Sequence, residues 1–321
     1  LNDFTGQGYA PVGILDPFWE SKGLITPEKF REFCAPTVAL LRFPKRAYYC
    51  DETFEGKAEV YNYSPSILKS AKAKWWITDA SGRVLKSGRL KTQRIGNYGV
   101  FPLGTFQYML NSVTAPQKLT IHLSVGDKVH NSWDIWVYPH HKDLMQTTPD
   151  VLYTTTYDAK AKQYLQVLCP KPNKVKGRKS VFHNHFWNPI MFKWAPTTLG
   201  CLIHADQPMF ADFITEKHLD WQWWDILTNA KVIDMTDTPQ ELRPFIQVID
   251  SYETNQKLGI GFEARVNNGK LLVLAVDTRK DLDKRPATQQ LLKSIDQYVK
   301  SGQFAPRATV KEEFIQSFLI K

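Results

Sequence analysis

Cysteine, histidine and tryptophan offer this 321-residue chain most of its chemical options. Cys34, Cys50, Cys169 and Cys201 are widely separated and never take the Cys-x-x-Cys spacing, so zinc and dithiol redox motifs are not indicated. Buried free thiols are the expectation. Cys201 sits in Leu199-Gly200-Cys201-Leu202-Ile203-His204, and a cysteine on a sharp strand-to-helix elbow near a histidine can act as a nucleophile. The second elbow glycine is missing, however. Cys169 ends a strand, but Pro170 stands where a helix would begin. Structural thiols are therefore preferred, with a Cys201-dependent hydrolase as the alternative. His183-Asn184-His185 sets two imidazoles on one side of an extended segment. No third ligand accompanies them, and Phe182, Phe186 and Trp187 point to packing. No metal and no cofactor are expected. His140-His141 reads as solvent-facing linker.

The densest aromatic cluster is His218-Leu219-Asp220-Trp221-Gln222-Trp223-Trp224-Asp225. Read as a helix, it puts Trp221 and Trp224 on one face with His218 and Asp225, while Trp223 points elsewhere. It is either an interface plug or a platform on which sugar rings stack, with Trp221 and Trp223 as candidate contacts. The whole chain has ten Trp and 13 Tyr, a surplus that fits sugar handling and aromatic-rich sandwich cores alike. A net charge of +9 permits an acidic partner. The cations are nevertheless spread out, and the densest run, Lys171 to Lys179, reads as one solvated loop without a nucleic-acid motif. No apolar run is long enough to span a membrane. Neither nucleic acid nor membrane is expected as a partner.

The elements that must position these residues fall into three blocks. Residues 1–45 open with glycine loops and then a helix: Thr26 as N-cap, Pro27 at the first helical position, and Phe30, Phe33 and Cys34 on one face. A loop and helix with no strand before them read as the last piece of a (β/α)8 barrel, and the chain as the end of something larger. Residues 46–138 alternate in short strands, among them 58–63, 74–79, 104–110, 118–125 and 131–138, joined by turns such as Ala80-Ser81-Gly82-Arg83. That spacing predicts an immunoglobulin-like β-sandwich. Residues 139–321 begin with a linker to Thr148 and read as an α/β domain: strands at 150–155, 166–169, 230–234, 245–250, 258–266 and 270–277, with a turn at Asn267-Asn268-Gly269. Asp158 would cap a short helix carrying Ala161, Tyr164 and Leu165. A final helix spans Pro286 to Lys300 with Leu291, Leu292, Ile295 and Val299 inward, and a short docked helix carries Val310, Phe314 and Phe318.

The runs Asp3-Phe4-Thr5-Gly6-Gln7-Gly8 and Gly13-Ile14-Leu15-Asp16-Pro17-Phe18-Trp19-Glu20-Ser21-Lys22-Gly23 resemble the close of the catalytic barrel in bacterial family 2 glycoside hydrolases, the β-galactosidase and β-glucuronidase group. Phe186-Trp187-Asn188-Pro189, the tryptophan run and Phe262-Glu263-Ala264-Arg265-Val266 resemble the far C-terminal part of the same multidomain proteins. The resemblance implies a flavodoxin- or glutamine-amidotransferase-like sheet in residues 139–321 and an extracytoplasmic bacterial location. It also implies a parent enzyme that is a retaining glycosidase, whose two glutamates lie on earlier barrel strands. This chain then carries no catalytic pair. It is the non-catalytic C-terminal part, supporting the barrel and meeting carbohydrate through the parent enzyme. Asp3, Asp16 and Trp19 would sit where the last barrel loop reaches the active-site mouth, either lining it or merely ordering the loop. The alternative is a free-standing carbohydrate-binding protein that uses exposed tryptophans.

Overall fold

The computed structural model describes residues 13–159, 165–180, 182, 198–250 and 254–320. The chain is mostly β-sheet with few helices and divides into two compact units, residues 1–137 and 138–321. Among the described residues no helix is long and apolar enough to cross a membrane.

The first unit opens with helix α1 (Pro27–Arg31), where Thr26 caps as expected, its hydroxyl accepting from the Lys29 N–H at 3.2 Å. The helix is only five residues long and buries none of them, whereas the sequence predicted a longer element. Pro36 and the β-branched pair Thr37-Val38 favour extended backbone, and a strand follows at once. Ten strands make up the rest: β1 (Thr37–Arg42), β2 (Ala47–Tyr49), β3 (Thr53–Asn62), β4 (Leu68–Ala71), β5 (Ala73–Thr78), β6 (Val84–Arg89), β7 (Gln93–Ile95), β8 (Gly99–Met109), β9 (Gln117–Val125) and β10 (Val129–Tyr138). They form sheets ordered β1-β3-β8 and β2-β10-β9-β5-β6, with a small β4-β7 pair. Because β1 pairs with β3 from Thr37↔Asn62 to Arg42↔Lys57, residues 37–42 belong to this sheet and not to a barrel remnant ending at residue 45.

Strand β3 shows how the two sheets find each other. Phe54, Gly56, Ala58, Val60 and Asn62 are buried, while Lys57 and the Glu residues between them face outward. Ala39, Phe54, Val60 and Phe106 from one sheet share a single core with Trp75, Ile77, Ile121, Leu123 and Ile135 from the other. Trp75 stacks on Phe106 with centroids 4.3 Å apart. Gly88 makes room for that indole, since a Cβ there would meet it at 2.7 Å.

In the second unit the nine-stranded sheet runs β11 (Val151–Thr154), β12 (Leu165–Leu168), β18 (Gly269–Leu274), β17 (Leu258–Val266), β15 (Lys231–Asp234) and β13 (Arg178–Lys179), with β14 (Gly200–Ile203), β16 (Ile246–Ile249) and β19 (Thr309–Val310) attached through β17. Strands β11, β12 and β18 are mutually parallel, whereas β17 and β18 form an antiparallel hairpin whose turn holds Asn267 at φ +51°. Among the described residues the unit's α-helices are α2 (Trp223–Thr228), α3 (Pro286–Lys300) and α4 (Glu312–Ser317). Strand β17 is buried on both faces. Glu263 accepts from the Tyr298 hydroxyl of α3 at 2.7 Å on one side, while Phe262 meets Phe314 and Phe318 of the C-terminal tail on the other. The α3 stripe is buried as the spacing predicts. The helix predicted after Asp158 lies mainly outside the described residues.

Tyr48, Tyr138, Tyr153 and Tyr298 all have phenol pKa values raised, chiefly by burial, with Asp220 adding to the effect at Tyr138, Asp296 at Tyr153 and Glu263 at Tyr298. The folded chain therefore keeps protons that the unfolded chain sheds above about pH 10. Their stabilising contribution is complete below that pH and is lost as pH rises toward the folded values. The urea midpoint should fall steeply above about pH 10, and residue-resolved NMR of these four rings should show them ionising only as the chain unfolds. Ionisation of any of these four phenols in the still-folded chain near pH 10 would contradict this.

Candidate functional site

The tryptophan run is built from the inside outward. Trp223 is fully buried: its ring meets Phe213 edge-on at 5.2 Å and its Nε1–H donates to Thr215 Oγ1 at 2.9 Å. Gln222 is buried beside it, donating to the Ile214 carbonyl at 2.6 Å and to Asp220 Oδ2 at 2.9 Å, and accepting from the Tyr138 hydroxyl. These anchors turn their neighbours out, so that Trp221 and Trp224 are 53% and 50% exposed. Phe182 packs against both indoles, with ring centroids 5.3 Å from Trp221 and 5.4 Å from Trp224. Trp221 stays a candidate contact and Trp224 joins it. Trp223 drops out, because an indole with no exposed face cannot stack on a ligand. Asp225, predicted on the Trp221 face, turns instead to Arg285, whose Nε donates to its two oxygens at 2.7 and 2.8 Å.

In the N-terminal loop, Asp16 Oδ1 accepts the N–H groups of Phe18 and Glu20 at 2.8 and 2.9 Å, so this carboxylate orders its own turn. Trp19 holds φ +69° there and is 70% exposed, beside Phe18. Asp3 lies outside the described residues, as do His183 and His185. His141 is not free linker: its ring Nε2 sits 2.7 Å from Gln290 Oε1, and its N–H donates to Gln289. Among the described residues no group of three or more metal-ligating side chains comes together.

Cys169 and Cys201 are buried, and burial pushes each thiol up to about 12, with Arg279 pulling weakly the other way at Cys169. Cys201 lies within β14, paired with β16 through Cys201↔Val248, and not on an elbow. A thiol held protonated is a poor nucleophile. N-ethylmaleimide at about pH 8 should label exposed Cys34 quickly and spare Cys169 and Cys201 until the protein unfolds. Mass spectrometry showing Cys201 labelled as fast as Cys34 in the native protein would overturn this assignment.

One feature of the second unit was hidden in the sequence. A cavity of about 590 Å³ lies off the C-terminal ends of the parallel strands β12 and β18, lined by Lys171, Lys179, Lys231, Arg279 and Lys280 with the single carboxylate Asp277. Asp277 Oδ1 accepts the N–H groups of Arg279 and Lys280 at 3.0 and 3.1 Å. Although burial opposes its charge, these N–H groups and the guanidiniums of Arg285 and Arg279 hold its carboxyl below the ordinary carboxylate value. The signal available beforehand was the Lys171–Lys179 run, whose partners come from residues far along the chain.

The fold and site define a β-rich chain of two compact units with an exposed aromatic ledge and a basic cavity in the second. The chain belongs to the family described as Domain of unknown function (DUF8487), which matches residues 152–320. A second such family, DUF8488, matches residues 52–139. No curated protein matches the chain. Among solved structures, an alkylpurine DNA glycosylase from Pseudomonas fluorescens is similar at 14% identity and TM-score 0.27, over 32% of this chain and 31% of that one. A CARDB domain from Pyrococcus furiosus is similar at 17% identity and TM-score 0.26, over 32% of this chain and 94% of that one. A β-glucosidase from Listeria innocua is similar at 10% identity and TM-score 0.25, over 32% of this chain and 16% of that one. At such scores these likenesses carry no argument about activity.

Proposed function

We propose that this chain is the non-catalytic C-terminal part of an extracytoplasmic bacterial glycoside hydrolase resembling family 2. In this reading the first unit is an immunoglobulin-like sandwich and the second a flavodoxin- or amidotransferase-like α/β domain, and together they buttress a catalytic (β/α)8 barrel. The observation that carries the reading is the segment ahead of β1. Phe18, Trp19, Leu24 and Phe33 are 78%, 70%, 71% and 55% exposed, and α1 buries none of its residues. Large apolar side chains gathered on one short segment mark a surface made to be covered, and the barrel is what the resemblance places there. Trp19 at the tip of the Asp16 turn would then help shape the sugar site. The purified 321-residue chain should show no turnover of aryl β-glycosides. Turnover that scales with protein and survives repurification would refute the reading.

A second reading, a free-standing carbohydrate-binding protein, is favoured by the half-exposed pair Trp221 and Trp224. It predicts that Trp221→Ala weakens glycan affinity roughly 2- to 10-fold, the size of one lost stacking contact, with the melting temperature unchanged. The accessory reading predicts no glycan affinity to lose. Titrating the wild type and W221A with oligosaccharides separates the two.

A further inference from the structure

The basic cavity of the second unit has no task in either reading above. Its cations come from four places in the chain: Lys171 after β12, Lys179 on β13, Lys231 on β15, and Arg279 with Lys280 on the turn after β18. Three features argue for a built site. First, the register sets Lys179 directly opposite Lys231, and like charges in that relation cost stability. Second, the Lys231 ammonium is tethered by the Gly177 carbonyl at 3.1 Å. Gly177 itself lies so close to the Val232 carbonyl that a Cβ would meet it at 2.0 Å, so backbone packing fixes where this cation stands. Third, the cavity lies off the carboxyl ends of the parallel pair β12 and β18, the position at which open parallel sheets receive ligands. The lining sets five cationic residues against one carboxylate, Asp277, which also accepts from the N–H groups of its own turn.

Lysines and an arginine that line one hollow favour oxyanions, through charge-assisted hydrogen bonds that are about twice as strong as neutral ones. Asn173 adds an uncharged polar group suited to hydroxyls, while the lining Thr228 and Asn229 give their side-chain donors to α2. The volume of about 590 Å³ falls within the usual range for small-molecule sites. We propose that this cavity binds a small hydroxylated molecule through a phosphate or carboxylate group. A nucleic acid would instead need an extended basic track with its own recognition elements.

The test is calorimetric titration of the full chain with glucose 6-phosphate, with glucuronate and with glucose as the neutral control. One of the two anionic probes should bind and glucose should not, and which anion binds better identifies the source. The double variant K171E/R279E should weaken binding about tenfold or more, since each cation supplies a charge-assisted bond. Both positions are exposed, so the variant should fold, and its melting curve checks that. K91E, an exposed lysine of the first unit, should bind as the wild type does. The proposal is overturned by equal affinity for glucose, by no binding of either anion at about 10 mM, weaker than any specific site of this size, or by equal losses in K91E and the double variant. It is also overturned if duplex DNA binds more tightly than both small anions and K171E/R279E abolishes that binding, which would assign the surface to nucleic acid.

Discussion

Replacing Trp223 with alanine should destabilise the second unit by about 3–5 kcal/mol, the usual cost of truncating a large core aromatic. Typical domains hold only about 5–15 kcal/mol in total, so little of the native population would survive moderate heating. The size of the effect follows from what the indole touches. It is fully buried, meets Phe213 and Phe210 edge-on at 5.2 and 6.3 Å, and gives its only N–H to Thr215. Alanine leaves a void among those rings and takes the donor from the Thr215 hydroxyl. The melting temperature should fall by roughly 10 °C or more, and Trp223→Phe should recover part of the loss because it refills most of the volume. Trp221→Ala and Trp224→Ala remove half-exposed rings and should move it far less. Equal shifts for W221A and W223A in urea or calorimetric unfolding would mean that the inward and outward faces have been assigned the wrong way round.

That contrast shows what a sequence can reveal about a site. Helical spacing alone separates Trp223 from Trp221 and Trp224, because three residues nearly complete a turn. It cannot say which face is buried, and it put Asp225 beside Trp221 because it contains no information about Arg285, 60 residues later. The strands of the first unit were legible where polar and apolar residues alternate, as in β3 and β9, and α3 was legible from its stripe. Strand β1 was not. Val38-Ala39-Leu40-Leu41 is a short apolar run that suits the end of a helix as well as a strand, and only pairing with β3 decides. The basic cavity was invisible for a different reason: a cluster drawn from four elements leaves no local pattern. What was visible, the Lys171–Lys179 run, is what any solvated loop looks like until Lys231 and Arg279 are brought to it.

Replacing Arg285 with alanine should come close to the Trp223 effect, at about 2–4 kcal/mol. Arg285 is 6% exposed and stands just before α3. Its Nε reaches both oxygens of Asp225 on α2, and its Nη1 donates to the Asp277 carbonyl at 2.5 Å and the Lys280 carbonyl at 3.3 Å. Thr288 adds a bond to Asp225 Oδ2 at 2.6 Å. One guanidinium thus fastens α2, the turn after β18 and the start of α3, and its removal strands a carboxylate and carbonyls together. A value around the lower end of the usual range of about 3–5 kcal/mol is expected because the Asp225 side chain retains 32% exposure and water can solvate part of its charge. Arg285→Lys should recover only part of the loss, since a single ammonium cannot grip both Asp225 oxygens and the turn carbonyls at once. A double-mutant cycle of R285A with D225N should return a coupling of about 1 kcal/mol or more; independent, additive effects would show that the contact contributes little. The same substitution loosens the turn that carries Arg279 and Lys280, so anion affinity at the cavity should fall in R285K even where that protein remains folded. Unchanged affinity there would separate the fastening of the fold from the shaping of the site.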